Sequence, residues 1–236
     1  MIKSTPEQIR ARFDADVERF SRLETGQQAA MDSPLMLDLI AEAAPALNPT
    51  ATALVDIGCG AGNYTLRLME VLPIERATLI DLSPNMLARA QDRVNALRPI
   101  AIESIEGDIR SIDLGRERFD IAVAAAVLHH LREEAEWRAV FAAVHASLRP
   151  GGSFWIADFV HHEPAALQSA MWRRYGRYLE SLGGPAYRDK VFAYVEIEDT
   201  PRPVPFLLRE LERAGFAHTE VLHKNGPFAL LAAVKA

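Results

Sequence analysis

The residues with the strongest chemical signature form the stretch Val55-Asp56-Ile57-Gly58-Cys59-Gly60-Ala61-Gly62-Asn63-Tyr64-Thr65. Three alternating glycines after an apolar run let the backbone turn sharply and approach a ligand closely. A dinucleotide fingerprint sets its third Gly or Ala three positions after the second. Here that position is Asn63, and the third glycine comes one residue earlier. The G-x-G-x-G spacing therefore suits a ligand without a pyrophosphate. Asp81 lies about 20 residues beyond the loop, at the end of the next apolar run, where an acid can accept both hydroxyls of a ribose. Stabilising the dipole of the helix that follows is the other use for an acid there. Asp108, in Glu106-Gly107-Asp108-Ile109-Arg110, suits an adenine amine, with the Ile109 amide and side chain beside the ring. A lone Asp in a loop is otherwise a turn residue. Cys59 sits between two glycines with no base nearby and reads as a small residue of the turn. No Cys/His spacing resembles a metal site.

Proton-handling candidates follow further along. His129 and His130 lie in Leu128-His129-His130-Leu131, and Asp158, His161 and His162 follow a later apolar run. Each could serve as a general base for a nucleophile that must lose a proton, or merely pack and cap a loop. Trp172, Tyr175, Arg177 and Tyr178, with Arg173 and Arg174, share the helical stretch MWRRYGRYLESL. They could clasp a planar or anionic substrate, or cover the core with charged tips in water. Phe13, Val17 and Phe20 recur at helical spacing in residues 4–30. That segment either packs on the sheet edge or closes as a lid, through Phe20 or Arg22.

These residues need elements to position them. The stretches 53–57, 77–82, roughly 100–107, 119–127 and 152–159 predict strands, the first of them buried, separated by amphipathic stretches that predict helices. Ser83-Pro84 is helix-start chemistry. Continuous apolar strands alternating with helices indicate a parallel sheet covered on both faces. Residues 160–202 predict a mostly helical insertion. Helix 203–216 follows, then two strands at 217–223 and 228–236, joined too closely for anything but an antiparallel hairpin. The expected organisation is an N-terminal helical lid (1–48), a core (49–159), the insertion (160–202), and a last helix and hairpin (203–236).

Composition narrows the function classes. With 236 residues, 49% hydrophobic and 25% charged, the chain is that of a globular protein. A formal charge of −6 argues against a phosphate-driven nucleic-acid binder. The longest apolar run, Ile121 to Leu128, is too short to cross a bilayer. One cysteine suits a reducing compartment, so a cytoplasmic protein is expected, with no membrane partner and a homodimer as an open option.

Residues 50–236 resemble a class I S-adenosylmethionine (SAM)-dependent methyltransferase. The resemblance is carried by VDIGCGAGNYT, LIDLSPNML, EGDIRSI, FDIAVAAAVLHHL and LRPGGSFWIADF. It implies an α/β Rossmann-like sheet of seven strands, ordered 3-2-1-4-5-7-6 with strand 7 antiparallel and helices on both faces. SAM is the implied cofactor and S-adenosylhomocysteine the product, with a small-molecule acceptor carrying an O, N or C nucleophile. Gly58, Cys59, Gly60 and Gly62 would face the methionine part and Asp81 the ribose. Leu82, Met86, Asp108 and Ile109 would flank the adenine, Ala125 would line the sulfonium side, and Asp56 would lie behind the loop. Of the residues read above, His129, His130 and His162 are the catalytic candidates, and Trp172, Tyr175, Arg177 and Tyr178 the substrate candidates. More loosely, the N-terminal helix, LHHL and the tail AGF-x-x-x-x-V-L-H-K-N resemble carboxy-S-adenosylmethionine synthase, which modifies the cofactor itself; a protein that binds SAM without turnover is the remaining alternative.

Overall fold

The structure is a computed structural model and describes residues 3–22 and 28–236. Of the expected lid segment, residues 1, 2 and 23–27 lie outside the described residues. Ala53–Ile57 (β1) is buried at every position and pairs in parallel with Arg76–Asp81 (β2) and Phe119–Ala125 (β4). Ala101–Glu106 (β3) extends the sheet on one side, and Leu148–Phe159 (β5) on the other. The last two strands, Phe216–Asn225 (β6) and Phe228–Lys235 (β7), form the hairpin, with β7 antiparallel to β5. The order is β3-β2-β1-β4-β5-β7-β6, as expected. The hairpin is tighter than the sequence suggested: β6 runs to Asn225, because Gly226 takes a left-handed φ of 54° and closes the turn with Pro227 alone.

Strand side chains alternate between two faces, which explains the two-sided core. Ile121, Val123 and Trp155 join a cluster with Ser33–Leu47 (α3) and Asn63–Val71 (α4). Ala122, Ala124, Phe154 and Ile156 face Glu134–Ser147 (α6) and Val204–Ala214 (α8). Pro84–Leu97 (α5), capped by the Ser83 hydroxyl, covers β2 through Leu87 and Ala90. The insertion is helical, as expected: Ala165–Glu198 (α7), broken at Gly183 and Gly184, whose backbone is non-helical. The break folds the chain back so that Trp172 stacks on Phe192 at 4.4 Å.

Ahead of the sheet, Pro6–Ala15 (α1) and Val17–Phe20 (α2) are short helices. Thr5 and Gln8 close a capping box on α1. Too few of their residues are buried for these helices to stand alone. Polar ties hold them: Arg12 grips Glu198 at the end of α7 with two hydrogen bonds of 2.9 and 2.5 Å, and the Ser4 amide donates to Ile197 O at 2.9 Å. On the other side, Asn63 Nδ2 donates to Phe20 O at 3.1 Å.

Candidate active site

At the carboxyl ends of β1, β2 and β4 a cleft of about 1080 Å³, counting its open side, lies beneath α1. The glycine loop forms its floor. Gly58, Gly60 and Gly62 all have positive φ, but their roles differ. A Cβ on Gly58 would meet Val127 Cγ2 at 2.5 Å, and one on Gly62 would meet Ala90 Cβ at 3.2 Å. Those two glycines allow the loop to pack. A Cβ on Gly60 would meet nothing within 4 Å, so this position opens onto the cleft. Asp81 reaches across from β2: one carboxylate oxygen accepts the Gly60 amide and the other the Ser83 amide, both at 2.8 Å. Burial pushes its carboxyl above the usual value, while those amides act the other way. Each oxygen keeps a lone pair for a further donor.

Gly58, Cys59, Gly60, Asp81, Leu82, Met86, Asp108, Ile109 and Ala125 all line this cleft. Asp56 and Gly62 do not. Asp56 lies under the loop, almost fully buried, where it accepts the Thr65 hydroxyl at 2.7 Å. Burial raises its carboxyl to about 7. Gly62 caps α4 against α5. Asp108 carries a partner that the sequence reading did not assign: Arg110 Nε donates to both its oxygens, at 2.9 and 3.0 Å. Burial would raise Asp108, but Arg110 outweighs it and holds the carboxyl below its ordinary value. Burial drives the Cys59 thiol well above its usual range, which disfavours the thiolate a nucleophile needs.

A second cavity adjoins the first and shares Phe13, Phe20, Ala126 and His130 with it. Its other walls include Arg12, His129, Phe159, Tyr175, Tyr194, Asp199 and Phe228. Ala126, at the junction, holds a left-handed φ of 53°, a conformation that costs a non-glycine residue energy and tends to occur at functional sites. His129 is anchored by its neighbours: its Nδ1 contacts Asp158 Oδ1, and Asp158 Oδ2 accepts the Leu128 and His129 amides at 2.8 and 3.3 Å. Burial works against a charged His129, yet the carboxylates of Asp158 and Asp199 override it and hold the imidazole above its ordinary value.

Several expected residues lie elsewhere. His162 bonds Gln168 and Lys224, with Lys224 Nζ 2.8 Å from its Nε2, and faces neither cavity. Burial and the Lys224 charge lower its basicity. Tyr175 reaches the second cavity, its hydroxyl donating to Ala29 O at 2.9 Å. Arg177, with Arg173 and Arg174, is exposed on the opposite side of α7. At 100° per residue, two positions past the buried Tyr175 point outward. Trp172 stacks on Phe192, and the Tyr178 hydroxyl donates to Gln28 O at 2.8 Å, so both support Tyr175 from outside the cavity. Of the lid candidates, Phe20 lines both cavities, whereas Arg22 is exposed and lines neither. Phe13, Ala126, Tyr194 and Asp199 were not among the residues expected at the site. Phe13 had a signal in its helical spacing with Phe20, but Asp199 had none, lying 70 residues from His129.

Among the described residues no helix is long and apolar enough to cross a membrane. Residues 54–152 match the family model of the methyltransferase domain. Carboxy-S-adenosyl-L-methionine synthases of Salmonella arizonae and Salmonella newport are 27% identical over 192 residues, 78% of this chain and 75% of theirs. Phosphoethanolamine N-methyltransferase 2 of Haemonchus contortus, solved with phosphomonomethylethanolamine and S-adenosylhomocysteine, has a TM-score of 0.70 at 15% identity. The match covers 98% of this chain and 60% of that one. An O-methyltransferase family protein of Burkholderia thailandensis has a TM-score of 0.66 at 19% identity, with 98% of this chain and 63% of the other covered. The chain thus spans less than two thirds of those solved chains.

Proposed function

From the premise that residues 54–152 are a methyltransferase domain on the class I fold, we propose that this protein transfers the methyl group of SAM to an O, N or C nucleophile of a small molecule. The observation that carries the reading is the meeting of two cavities at Ala126 and His130, one floored by the glycine loop and one lined by aromatic and ionisable groups. SAM supplies an already activated methyl on a sulfonium. The chain's own residues then have to bind, align and dry the site, work for which orientation alone contributes several kcal/mol, on the order of 7–11 in favourable cases.

The open face at Gly60 fits a ligand edge lying against the loop, and Asp81 offers a charged acceptor for ribose hydroxyls. Met86, Leu82 and Ile109 offer apolar faces to a purine. The lid formed by α1 and α2, with Phe13 and Phe20 over the junction, excludes water and favours a small acceptor over a macromolecular one. Among the described residues His130 is the one ionisable side chain common to both cavities, and we assign it the position nearest the transferred group, with Tyr175 and Tyr194 along the acceptor wall. A second reading has one observation in its favour, the likeness to carboxy-S-adenosyl-L-methionine synthase. Incubation with SAM and a panel of phenols, hydroxy acids and amines, read by mass spectrometry, decides. Release of S-adenosylhomocysteine with an acceptor gaining one methyl supports transfer. A heavier cofactor favours the second reading, and unchanged SAM with every acceptor contradicts both.

A further inference from the structure

One wall of the second cavity carries polar atoms that neither packing nor the cofactor cleft employs. His129, His130 and Asp199 each offer a ligand atom, all within 4.8 Å of one another. Their side chains are 11%, 16% and 6% exposed. Neither ring nitrogen of His130 has a hydrogen-bond partner, and Asp199 Oδ1 is likewise without one. Buried polar atoms left in this state carry a desolvation cost that a bound ligand would offset. We propose that this cluster binds a divalent transition-metal ion of the Zn²⁺ class through His129 Nε2, His130 Nδ1 and Asp199 Oδ1.

Three features support the assignment. Asp199 Oδ1 lies 3.6 Å from His129 Nε2 and 3.3 Å from His130 Nδ1. A tetrahedral ion with bonds of about 2.0–2.1 Å spaces its ligand atoms by roughly 3.3–3.4 Å. Asp158 takes the Nδ1 side of His129, which turns Nε2 toward Asp199; a carboxylate behind a ligating imidazole is the usual outer-shell support. Three protein ligands at the edge of a cavity leave a coordination position for a small molecule, as in catalytic rather than structural sites. A proton on His129 is the competing occupant. It would satisfy Asp199 but leave His130 Nε2 without any partner, His130 Nδ1 being 3.3 Å from the same carboxylate oxygen. No spacing in the sequence marks this cluster, since Asp199 follows the end of α7, far along the chain from the two histidines.

Ion binding stands by itself; its use rests on the proposed function. An ion here would favour an acceptor that presents an oxygen donor and would lower the pKa of a bound hydroxyl. The test uses untagged, chelator-treated protein dialysed against Zn²⁺ and analysed for metal content, with Co²⁺ absorption as a second readout. Near one equivalent of Zn²⁺ and visible Co²⁺ bands are expected. Asp199→Asn should abolish both, and Asp158→Asn should weaken Zn²⁺ binding about 10–100-fold. His162→Gln should leave both intact. If Asp199→Asn fails to fold, as judged by melting, His130→Gln carries the same expectation. Wild-type protein that retains no Zn²⁺ overturns the proposal, as does a folded Asp199→Asn that binds as tightly as wild type, which means an adventitious ion only. S-adenosylhomocysteine titration of the metal-free protein runs in parallel. A protein that binds S-adenosylhomocysteine but takes up no Zn²⁺ sinks this inference alone, and one that takes up Zn²⁺ but does not bind S-adenosylhomocysteine sinks the proposed function instead.

Discussion

Replacing Gly60 and Gly58 separately by alanine distinguishes a ligand-facing glycine from a packing one. Gly60 has φ +50° and an open site for a Cβ. Alanine there pays the left-handed penalty of about 1–2 kcal/mol and nothing for space. At about 2–4 °C per kcal/mol for a chain of this size, Tm should fall by roughly 2–8 °C. The new methyl projects where a bound ligand's edge belongs, and crowding of that kind costs about 1–3 kcal/mol, or roughly 5–150-fold in affinity. Gly58 has φ +67°, and a Cβ there would lie 2.6 Å from Val127 Cβ, which cannot rotate away. Adding the clash to the strain gives about 2–5 kcal/mol and a drop in Tm of roughly 4–20 °C. Thermal melts paired with calorimetric titration of S-adenosylhomocysteine separate the two effects. A Gly60→Ala protein that keeps its affinity within about twofold would show that the loop does not face the ligand.

Three further outcomes follow from the site. Asp81→Ala should weaken S-adenosylhomocysteine binding by about 1–3 kcal/mol, because hydroxyls lose a charged acceptor; calorimetry finding unchanged affinity removes Asp81 from the site. Asp56 has a carboxyl raised to about 7 in the fold, above its unfolded value, so the native state holds the extra proton between the two. Its contribution to stability is therefore present at low pH and lost as pH rises from about 4 to about 7. Asp56→Asn should flatten that slope in melts across the window, and an identical slope refutes the assignment. Arg12→Gln leaves Glu198, whose side chain is 5% exposed, without its bidentate partner. With Arg12 itself partly in water, a loss of about 1–3 kcal/mol is expected. Hydrogen exchange over residues 6–20 should quicken, and unchanged protection would mean that α1 is held by packing instead.

The fold was legible because its signals are local. The central strands are short apolar runs, the glycine loop marks the first crossover, and the connection at Gly226-Pro227 is too short for a parallel return; only the edge strands β3 and β6 are largely polar. The cleft residues were legible for the same reason, since Gly60, Asp81, Met86 and Ile109 lie at strand ends and helix starts. What failed depended on helical phase or long-range contact. Arg177 shares a stretch with Tyr175 but points away from it, and His162 turns to Lys224 across the hairpin. Asp199 reaches His130 only because α7 breaks at Gly183–Gly184 and returns its end to the sheet. Gly62 looked equivalent to Gly60 until their neighbours, Ala90 against open space, separated them.

A crystal structure with S-adenosylhomocysteine tests the central claim most directly. The account predicts the ribose hydroxyls on Asp81, the adenine between Met86 and Ile109, the amino-acid end along Gly58–Gly60, and the sulfur facing Ala126 and His130. Density for the ligand anywhere other than this cleft, or a glycine loop that makes no contact with it, would contradict the account.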